Sequence, residues 1–208
     1  MRRVKGLLQQ AHEQGLWAVC GYLFRRYLFE KKSFLYIKET LPANISEQLS
    51  TLPKGFAFSL FGQPEIEIIS NHPERKYYVG DRYVLDNYSR GDTCLGIKHE
   101  DEIVAFTWYS LTQSPEDVYR VPMGEKEAYL YDMYVFKKFR GHNLAALLRY
   151  KNYETLKGLG REWFYSITEC ANLASFRFKQ KLGAQVVFKG IYLKLFGKFA
   201  KTWILKSY

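Results

Sequence analysis

The second half of the sequence alternates strand-like and helix-like segments, and this order restricts the fold more than any other feature. Two apolar stretches flank the polar turn His99 to Glu102 and predict a β-hairpin. The following segments predict strand, helix, strand, helix, strand and a last strand, over Ala128–Phe136, Asn143–Gly158, Trp163–Thr168, Asn172–Leu182, Gln185–Leu195 and Lys198–Leu205. A hairpin followed by this series predicts an α/β (α+β) fold with a mixed sheet.

The first half of the sequence has weaker patterns. Residues 2–29 predict an amphipathic helix, with an apolar stripe and basic residues outside it. Ser33–Lys38 predicts a strand, and Glu65–Ile69 predicts another because its apolar residues alternate strictly. A short helix is expected near Ser46, and a helix or an irregular segment over Glu74–Tyr88. Since no repeat or flexible linker interrupts the chain, we expect a single domain over residues 1–208.

Charge and cysteine usage narrow the class of protein. The formal net charge of +10 attracts anions, which include cofactor phosphates, nucleic acid and acidic membrane surfaces. The three cysteines lie far apart without a CxxC pair, which argues against a metal cluster and a disulfide framework. The apolar run Leu16–Phe24 is too short to span a bilayer, and no signal peptide is visible. These features predict a cytoplasmic protein without a metal site.

One loop combines several features of an anion site. In VFKKFRGHNLAALL, Val135 to Leu148, a strand ends, basic residues follow, and a helix begins. Amide groups at a helix start and the positive end of the helix dipole attract anions. Gly141 lets an anion approach the main chain, and Asn143 tolerates a positive φ. The loop therefore predicts a phosphate site, with a basic turn and a helix cap as the alternative.

A second segment, NLASFRFKQKLGA from Asn172 to Ala184, starts a helix after one strand and ends before another. Together the two segments resemble the GNAT acetyltransferase superfamily, whose hallmarks are V-x-P-x-Y-R-G-x-G-x-G/A and N-x-x-A-x-x-L-Y-x-K-L-G-F. Arg140, Gly141 and Ala145 match the first motif, and Asn172, Ser175, Phe178, Lys181, Leu182 and Gly183 answer the second. The resemblance covers residues 93 to 196. It implies a mostly antiparallel sheet flanked by helices. The N-terminal amphipathic helix is predicted separately, from the hydrophobic pattern of residues 2–29.

The resemblance implies that coenzyme A binds as the acyl donor, acetyl-CoA. Its diphosphate would rest on the loop and its pantetheine arm beside the preceding strand, with a backbone N–H polarising the thioester. The implied binding residues are Tyr134, Val135, Phe136, Arg140, Gly141, His142, Asn143, Leu144, Ala145, Asn172 and Lys179. Residues 91–208 would form the cofactor-binding core, and the helices and strands of residues 1–90 would cover the acceptor side. Within residues 1–90, Tyr77, Tyr78 and Tyr83 are expected to line it or to pack.

The proton-transfer groups are less clear from the sequence. The resemblance implies two splayed central strands with a bulge, and the candidate catalytic residues on them are Tyr131, Asp132 and Glu169. Asp132 could instead be a carboxylate satisfied by a neighbouring Lys or Tyr. Lys179 replaces the tyrosine that often acts as the acid, and a solvated lysine with a pKa near 10.4 donates poorly at neutral pH. We therefore expect Lys179 to bind the donor.

These observations predict an N-acyltransferase that moves an acyl group, expected to be acetyl, from coenzyme A to a primary amine of a small molecule. Amino sugars and amino acids suit the acceptor. The alternatives are an enzyme that uses long-chain acyl-CoA or acyl carrier protein, and a coenzyme A-binding module without catalysis. A peripheral membrane contact, a carrier-protein contact and a homodimer stay open as partners. Nucleic acid is not expected, because no known binding motif accompanies the basic charge.

Overall fold

A computed structural model describes residues 29–41, 52–76 and 83–208. Eight strands are present there: β1 Phe29–Glu39, β2 Phe56–Phe61, β3 Thr93–His99, β4 Glu102–Ser110, β5 Glu127–Val135, β6 Trp163–Glu169, β7 Gln185–Leu195 and β8 Phe199–Ser207. The helices are α1 Gln63–Asn71, α2 Pro73–Lys76, α3 Tyr83–Ser89, α4 Leu144–Gly158 and α5 Leu173–Lys181, and Lys137–Phe139 forms a 3₁₀ turn. The predicted helix over residues 2–29 lies outside this description except at Phe29, which begins β1 and not a helix. The short helix near Ser46, Tyr77 and Tyr78 also lie outside it.

The strands form one mixed sheet in the order β2-β3-β4-β5-β6-β1-β7-β8. Every neighbouring pair is antiparallel except β5 and β6, which are parallel as the β-α-β pattern predicted. The predicted hairpin β3–β4 and the last strand are also confirmed, and the last strand, β8, pairs with β7. β1 lies between β6 and β7, far from its neighbours in sequence. The α/β class and the mostly antiparallel sheet are thus confirmed.

The predicted strand Glu65–Ile69 is wrong, because these residues belong to helix α1. The Glu65 carboxylate accepts a hydrogen bond from the Gly62 N–H at 3.0 Å and thereby caps the helix start. Ile66 and Ile69 are buried three residues apart on one helix face, whereas Ile68 is 55% exposed. The residues alternate as in a strand, but the capping carboxylate and the three-residue spacing decide for the helix.

The long loop between β4 and β5 is anchored on the sheet by aromatic and polar contacts. The Tyr119 ring lies 5.3 Å from Tyr36 and 5.0 Å from Phe188, centroid to centroid, in edge-to-face arrangements. Ser114 donates its hydroxyl to the Tyr119 carbonyl at 2.6 Å. The Thr202 hydroxyl donates to the Val118 carbonyl at 2.6 Å, which ties the loop to β8. The loop therefore holds its side chains in fixed positions against the sheet.

Candidate active site

The two parallel strands separate after a short pairing and leave a notch in the sheet. β5 and β6 pair only from Glu127↔Trp163 to Tyr129↔Tyr165. Beyond Tyr165, β6 continues to Glu169 with β1 as its partner. The notch therefore opens in the middle of the sheet, with β5 on one side and β6 on the other.

A β-bulge in β5 lies just beyond the last residues of β5 that pair with β6, and it turns β5 away from β6. Trp108 pairs with Tyr131 and Phe106 with Tyr134, so Thr107 alone faces Asp132 and Met133. Asp132 has a φ of +44°, which is uncommon for a residue other than glycine. The bulge that the family resemblance implied is present in β5.

The loop after β5 forms a cradle of free amide groups, which fits an anionic ligand. Gly141 and Asn143 have φ values of +90° and +57°, as their residue types predicted. Within the described residues, the backbone N–H groups from Gly141 to Ala145 donate to no other group. A side chain at position 141 would meet no neighbouring atom, so lack of space does not explain the glycine. The glycine is needed for the positive φ of the backbone. Arg140 anchors the loop by donating from Nε to the Val135 carbonyl at 3.1 Å.

A groove of about 680 Å³, here called the notch groove, runs from this cradle to the notch. Most of the predicted site residues line it, namely Tyr131, Asp132, Tyr134, Val135, Arg140, Gly141, Asn143, Leu144, Ala145, Asn172 and Lys179. The structure thus brings the two motif segments, from α4 and α5, to one groove. Their roles in binding stay predictions.

Three predicted residues lie elsewhere. The Phe136 side chain is buried against His72 at 4.2 Å, and its N–H donates to the Val104 carbonyl, so neither group faces the groove. His142 is exposed, and its ring Nδ1 lies 3.3 Å from the Phe139 carbonyl oxygen. Glu169 lines a different cavity. Since the sheet already uses the Phe136 amide, that amide is excluded as an oxyanion donor.

Tyr131 and Asp132 are both held by buried partners. The Tyr131 hydroxyl donates to Asp92 at 2.7 Å, and burial together with this carboxylate raises the pKa of Tyr131. Arg75 Nη2 lies 2.7 Å from both carboxylate oxygens of Asp132. Burial raises the pKa of Asp132, and Arg75 opposes the rise. Asp132 is therefore a satisfied carboxylate, with an arginine where a Lys or Tyr was expected, and it buttresses the bulge.

Lys179 corrects the expectation of a solvated helix lysine. It is 3% exposed, and its Nζ donates to the hydroxyls of Ser166 at 2.8 Å and Thr168 at 2.7 Å. Nζ also lies 3.9 Å from the buried carboxylate of Glu39, which Arg149 Nε approaches to 3.6 Å. Burial lowers the pKa of Lys179 to about 8, while Glu39 opposes the fall. The amine therefore titrates near neutrality at the wall of the notch groove.

Glu116 is the acidic residue that sequence reasoning missed. Its carboxylate accepts a hydrogen bond from the Tyr129 hydroxyl at 2.5 Å, and it lines the notch groove. Burial raises the pKa of Glu116, although the Tyr129 hydrogen bond opposes the rise. No motif marks this residue, because it stands in the polar loop after Pro115, where a carboxylate is normally solvated. Only the packing of that loop on the sheet reveals it.

A second cavity of about 620 Å³ adjoins the notch groove. The residues shared by the two cavities are Glu116, Ile167, Asn172 and Ser175. Glu169 and Tyr83 line this second cavity. It carries carboxylates at Glu30, Asp86, Glu116, Asp117 and Glu169, and cations at Lys32, Arg90 and Arg120. The cavity is thus acidic in a basic protein, which favours a cationic ligand.

The described residues hold no group of three His, Cys, Asp or Glu side chains arranged for a metal ion. Each helix in the described part of the chain is too short or too polar to cross a bilayer.

The candidate site of this α/β protein is thus a cradle of free amides at a helix start, next to a notch between two splayed parallel strands. The chain belongs to the Acetyltransferase (GNAT) family, whose model matches residues 60–184. No curated protein matches the sequence.

Solved structures share the fold at low sequence identity. A Drosophila protein has a TM-score of 0.59 at 16% identity over 88% of this chain. A GCN5-related N-acetyltransferase from Sphaerobacter thermophilus has 0.58 at 13% over 86%, and one from Kribbella flavida has 0.53 at 12% over 88%. This chain spans 57%, 56% and 64% of the lengths of those three proteins. At these identities the likeness shows the fold.

Proposed function

We propose that the protein is an N-acyltransferase that transfers an acetyl group from acetyl-CoA to a primary amine of a small molecule. The observation that carries the proposal is the junction of the two cavities at the notch. The notch groove contains the anion cradle, and the acidic second cavity shares four lining residues with it. A donor and an amine entering from opposite sides would meet beside Glu116 and Lys179.

The residues of the notch groove fit coenzyme A. The free amides from Gly141 to Ala145 would hold the diphosphate, with Arg140 adding a positive charge. Tyr134 and Val135 would lie beside the pantetheine arm, and Asn172 would bind it from the start of α5. Bound acetyl-CoA supplies a thioester whose C–S bond breaks as the C–N bond to the amine forms.

Glu116 is the general base of the proposed reaction. An amine attacks a thioester only after its ammonium group has lost a proton. Among the described carboxylates, only Glu116 lines both cavities, so it can reach a proton on the nitrogen from the acceptor side. Its desolvated position brings the pKa closer to neutrality, where a base works best. The proton moves from nitrogen to a Glu116 carboxylate oxygen and then to solvent.

Lys179 is the proposed general acid. Lys179 lines the notch groove, and its Nζ donates to the Ser166 and Thr168 hydroxyls and to the Ile167 carbonyl at 3.3 Å. A lysine with a pKa of about 8 is mostly protonated at neutral pH and can give a proton to a departing sulfur. The Glu39 carboxylate lies 3.9 Å from Nζ and attracts the ammonium group, while Arg149 pairs with Glu39 and opposes the charge on the lysine. Lys179 would thus supply the proton that the missing tyrosine supplies in the family motif.

The acceptor side is proposed to be the second cavity, which strands and helices from the first 90 residues partly line. Its excess of carboxylates suits an ammonium group, as in an amino sugar or an amino acid. Tyr83 contributes a ring and a hydroxyl to this cavity.

The test has two parts. Acetyl-CoA should raise the melting temperature of the protein more than a long-chain acyl-CoA does. A screen of primary amines with thiol detection should then reveal coenzyme A release that Glu116→Gln suppresses. Larger stabilisation by long-chain acyl-CoA would identify a different donor. Stabilisation by acetyl-CoA without turnover on any amine would favour a binding module.

A further inference from the structure

The hairpin β7–β8 carries an exposed apolar surface that the proposed reaction does not use. β8 is the edge strand of the sheet, and among the described strands it pairs with β7 alone. Phe199 is 70% exposed, and five more large apolar side chains of the hairpin are exposed: Leu195, Phe196, Trp203, Ile204 and Leu205. Leu195 pairs with Phe199, and Trp203 lies on the same face of β8, whereas Ile204 lies on the other face. Such a contiguous patch on an edge strand indicates a contact surface.

The turn of this hairpin holds a phenylalanine in an unfavourable backbone conformation. Phe196 and Gly197 have φ values of +52° and +66°, and the Lys198 N–H donates to the Leu195 carbonyl at 3.1 Å. This geometry is a type I′ turn, whose first central position favours Asn, Asp or Gly. A bulky residue such as Phe196 is strained at that position. Its ring is 54% exposed at the tip of the hairpin. Since Asn or Gly would stabilise this turn better than Phe196 does, the stability of the fold does not explain the phenylalanine.

The segment that carries the patch has charges of one sign, and two carboxylates from other segments, Glu30 and Asp117, lie beside Lys194. Residues 170–208 contain no Asp or Glu, and their cations are Arg177, Lys179, Lys181, Lys189, Lys194, Lys198, Lys201 and Lys206. Lys201 Nζ lies 5.3 Å from the Trp203 ring centroid, and Lys206 Nζ lies 4.5 Å from that of Tyr208. The exposed lysines therefore alternate with exposed aromatic rings along β8.

We propose that the hairpin surface, formed by Phe196, Phe199, Trp203 and Leu205 with Lys198, Lys201 and Lys206, docks the protein on an anionic phospholipid membrane. Aromatic and aliphatic side chains enter the interface between headgroups and acyl chains, while lysines bind acidic headgroups. A second copy of the chain fits poorly, since the lysines of two such surfaces would repel each other. Nucleic acid offers no partner for Leu205 and Ile204.

The first experiment is sedimentation with phosphatidylcholine vesicles, with and without phosphatidylglycerol. The protein should bind the vesicles that contain phosphatidylglycerol, and salt should weaken the binding. Replacing Lys198, Lys201 and Lys206 together by Gln should lower the partition coefficient, by about fivefold for each lysine. Equal binding to both vesicle types, or to neither, overturns the proposal.

The second experiment separates docking from folding. In the double variant Phe196→Asn with Phe199→Ser, Asn suits the positive φ of the turn, so the melting temperature should stay equal or rise. Vesicle binding should nevertheless fall by about tenfold or more. Leu60→Ser is the matched control, because Leu60 is 60% exposed on β2 at the opposite sheet edge. The control should bind vesicles as the parent does.

Three results contradict the proposal: unchanged vesicle binding in the double variant, equal loss in Leu60→Ser, and a double variant that instead loses self-association or binding to an acidic carrier protein. Stabilisation by acetyl-CoA is measured on the same variants and should not change. A failure of membrane docking is therefore distinguishable from a failure of the proposed transferase function.

Discussion

Glu116→Gln tests the proposed general base with little change in shape. The amide oxygen of Gln can still accept the hydrogen bond from Tyr129, so the loop should keep its position. An amine with a pKa near 10.4 is neutral at pH 7 in roughly one molecule in a few thousand. Without the base, only that fraction reacts. We therefore expect kcat/KM for the amine to fall by about 10²–10³ at pH 7, within the usual range for general-base catalysis.

The pH dependence gives the decisive measurement. Burial raises the pKa of Glu116, so kcat/KM of the parent should rise with pH as this carboxyl loses its proton. In Glu116→Gln the inflection that belongs to this carboxyl should vanish, and only the steady increase from the growing fraction of neutral amine should remain. Above neutrality the acceptor deprotonates in solution, and the deficit of the variant should shrink by about tenfold per pH unit up to the pKa of the amine.

The matched control is Asp117→Asn, because Asp117 also lines the second cavity but its side chain is 57% exposed. It removes a carboxylate of the acceptor cavity without removing the proposed base, so the pH dependence of kcat/KM should stay that of the parent, with at most a uniform loss. The affinity for acetyl-CoA and the melting temperature are measured in both variants. If Glu116→Gln keeps kcat/KM within about threefold of the parent at pH 7, or shows a deficit independent of pH, Glu116 is not the base.

Ala145→Glu should lower the affinity for acetyl-CoA by at least about tenfold, or 1.4 kcal/mol, because a carboxylate then faces the diphosphate cradle. Ala145→Gln is the neutral control. Equal affinities of the two variants in calorimetry would exclude the cradle as the diphosphate site. Lys179 acts as an acid only when protonated, so kcat should fall as the pH rises through about 8. In Lys179→Met this decrease of kcat at high pH should be absent. If the decrease remains in the variant, another group causes it. Asp132→Ala leaves the buried Arg75 unpaired and should lower the free energy of unfolding by about 3–5 kcal/mol. Urea denaturation of Asp132→Ala beside Asp132→Asn measures it, and parental stability in Asp132→Ala would contradict the buttress role.

Features encoded by neighbouring residues could be predicted from the sequence. The order of elements from Thr93 onward and the loop at Gly141 and Asn143 follow from local patterns and backbone preferences. The failure at Glu65–Ile69 has a local cause as well. Its alternation satisfies both a strand and the three-residue spacing of a buried helix face, and the capping contact at Gly62 distinguishes them.

Features that depend on distant residues could not be predicted. Lys179 is buried because β1 brings Glu39 to Ser166 across the sheet, and no local pattern records that contact. Glu116 reaches the notch only because aromatic rings from β1 and β7 hold its loop. Arg75, the partner of Asp132, likewise comes from a short helix far away in sequence.

The position of β1 between β6 and β7 has a consequence for biosynthesis. Both neighbours of this strand lie more than a hundred residues later in the chain, in Trp163–Glu169 and Gln185–Leu195. During translation β1 therefore remains unpaired until β6 and β7 have been synthesised. Contacts of such sequence separation slow folding and leave apolar strand edges exposed meanwhile. We therefore expect the nascent chain to depend on chaperones until residues 163–195 have emerged, and the notch between β5 and β6 to be among the last parts to assemble.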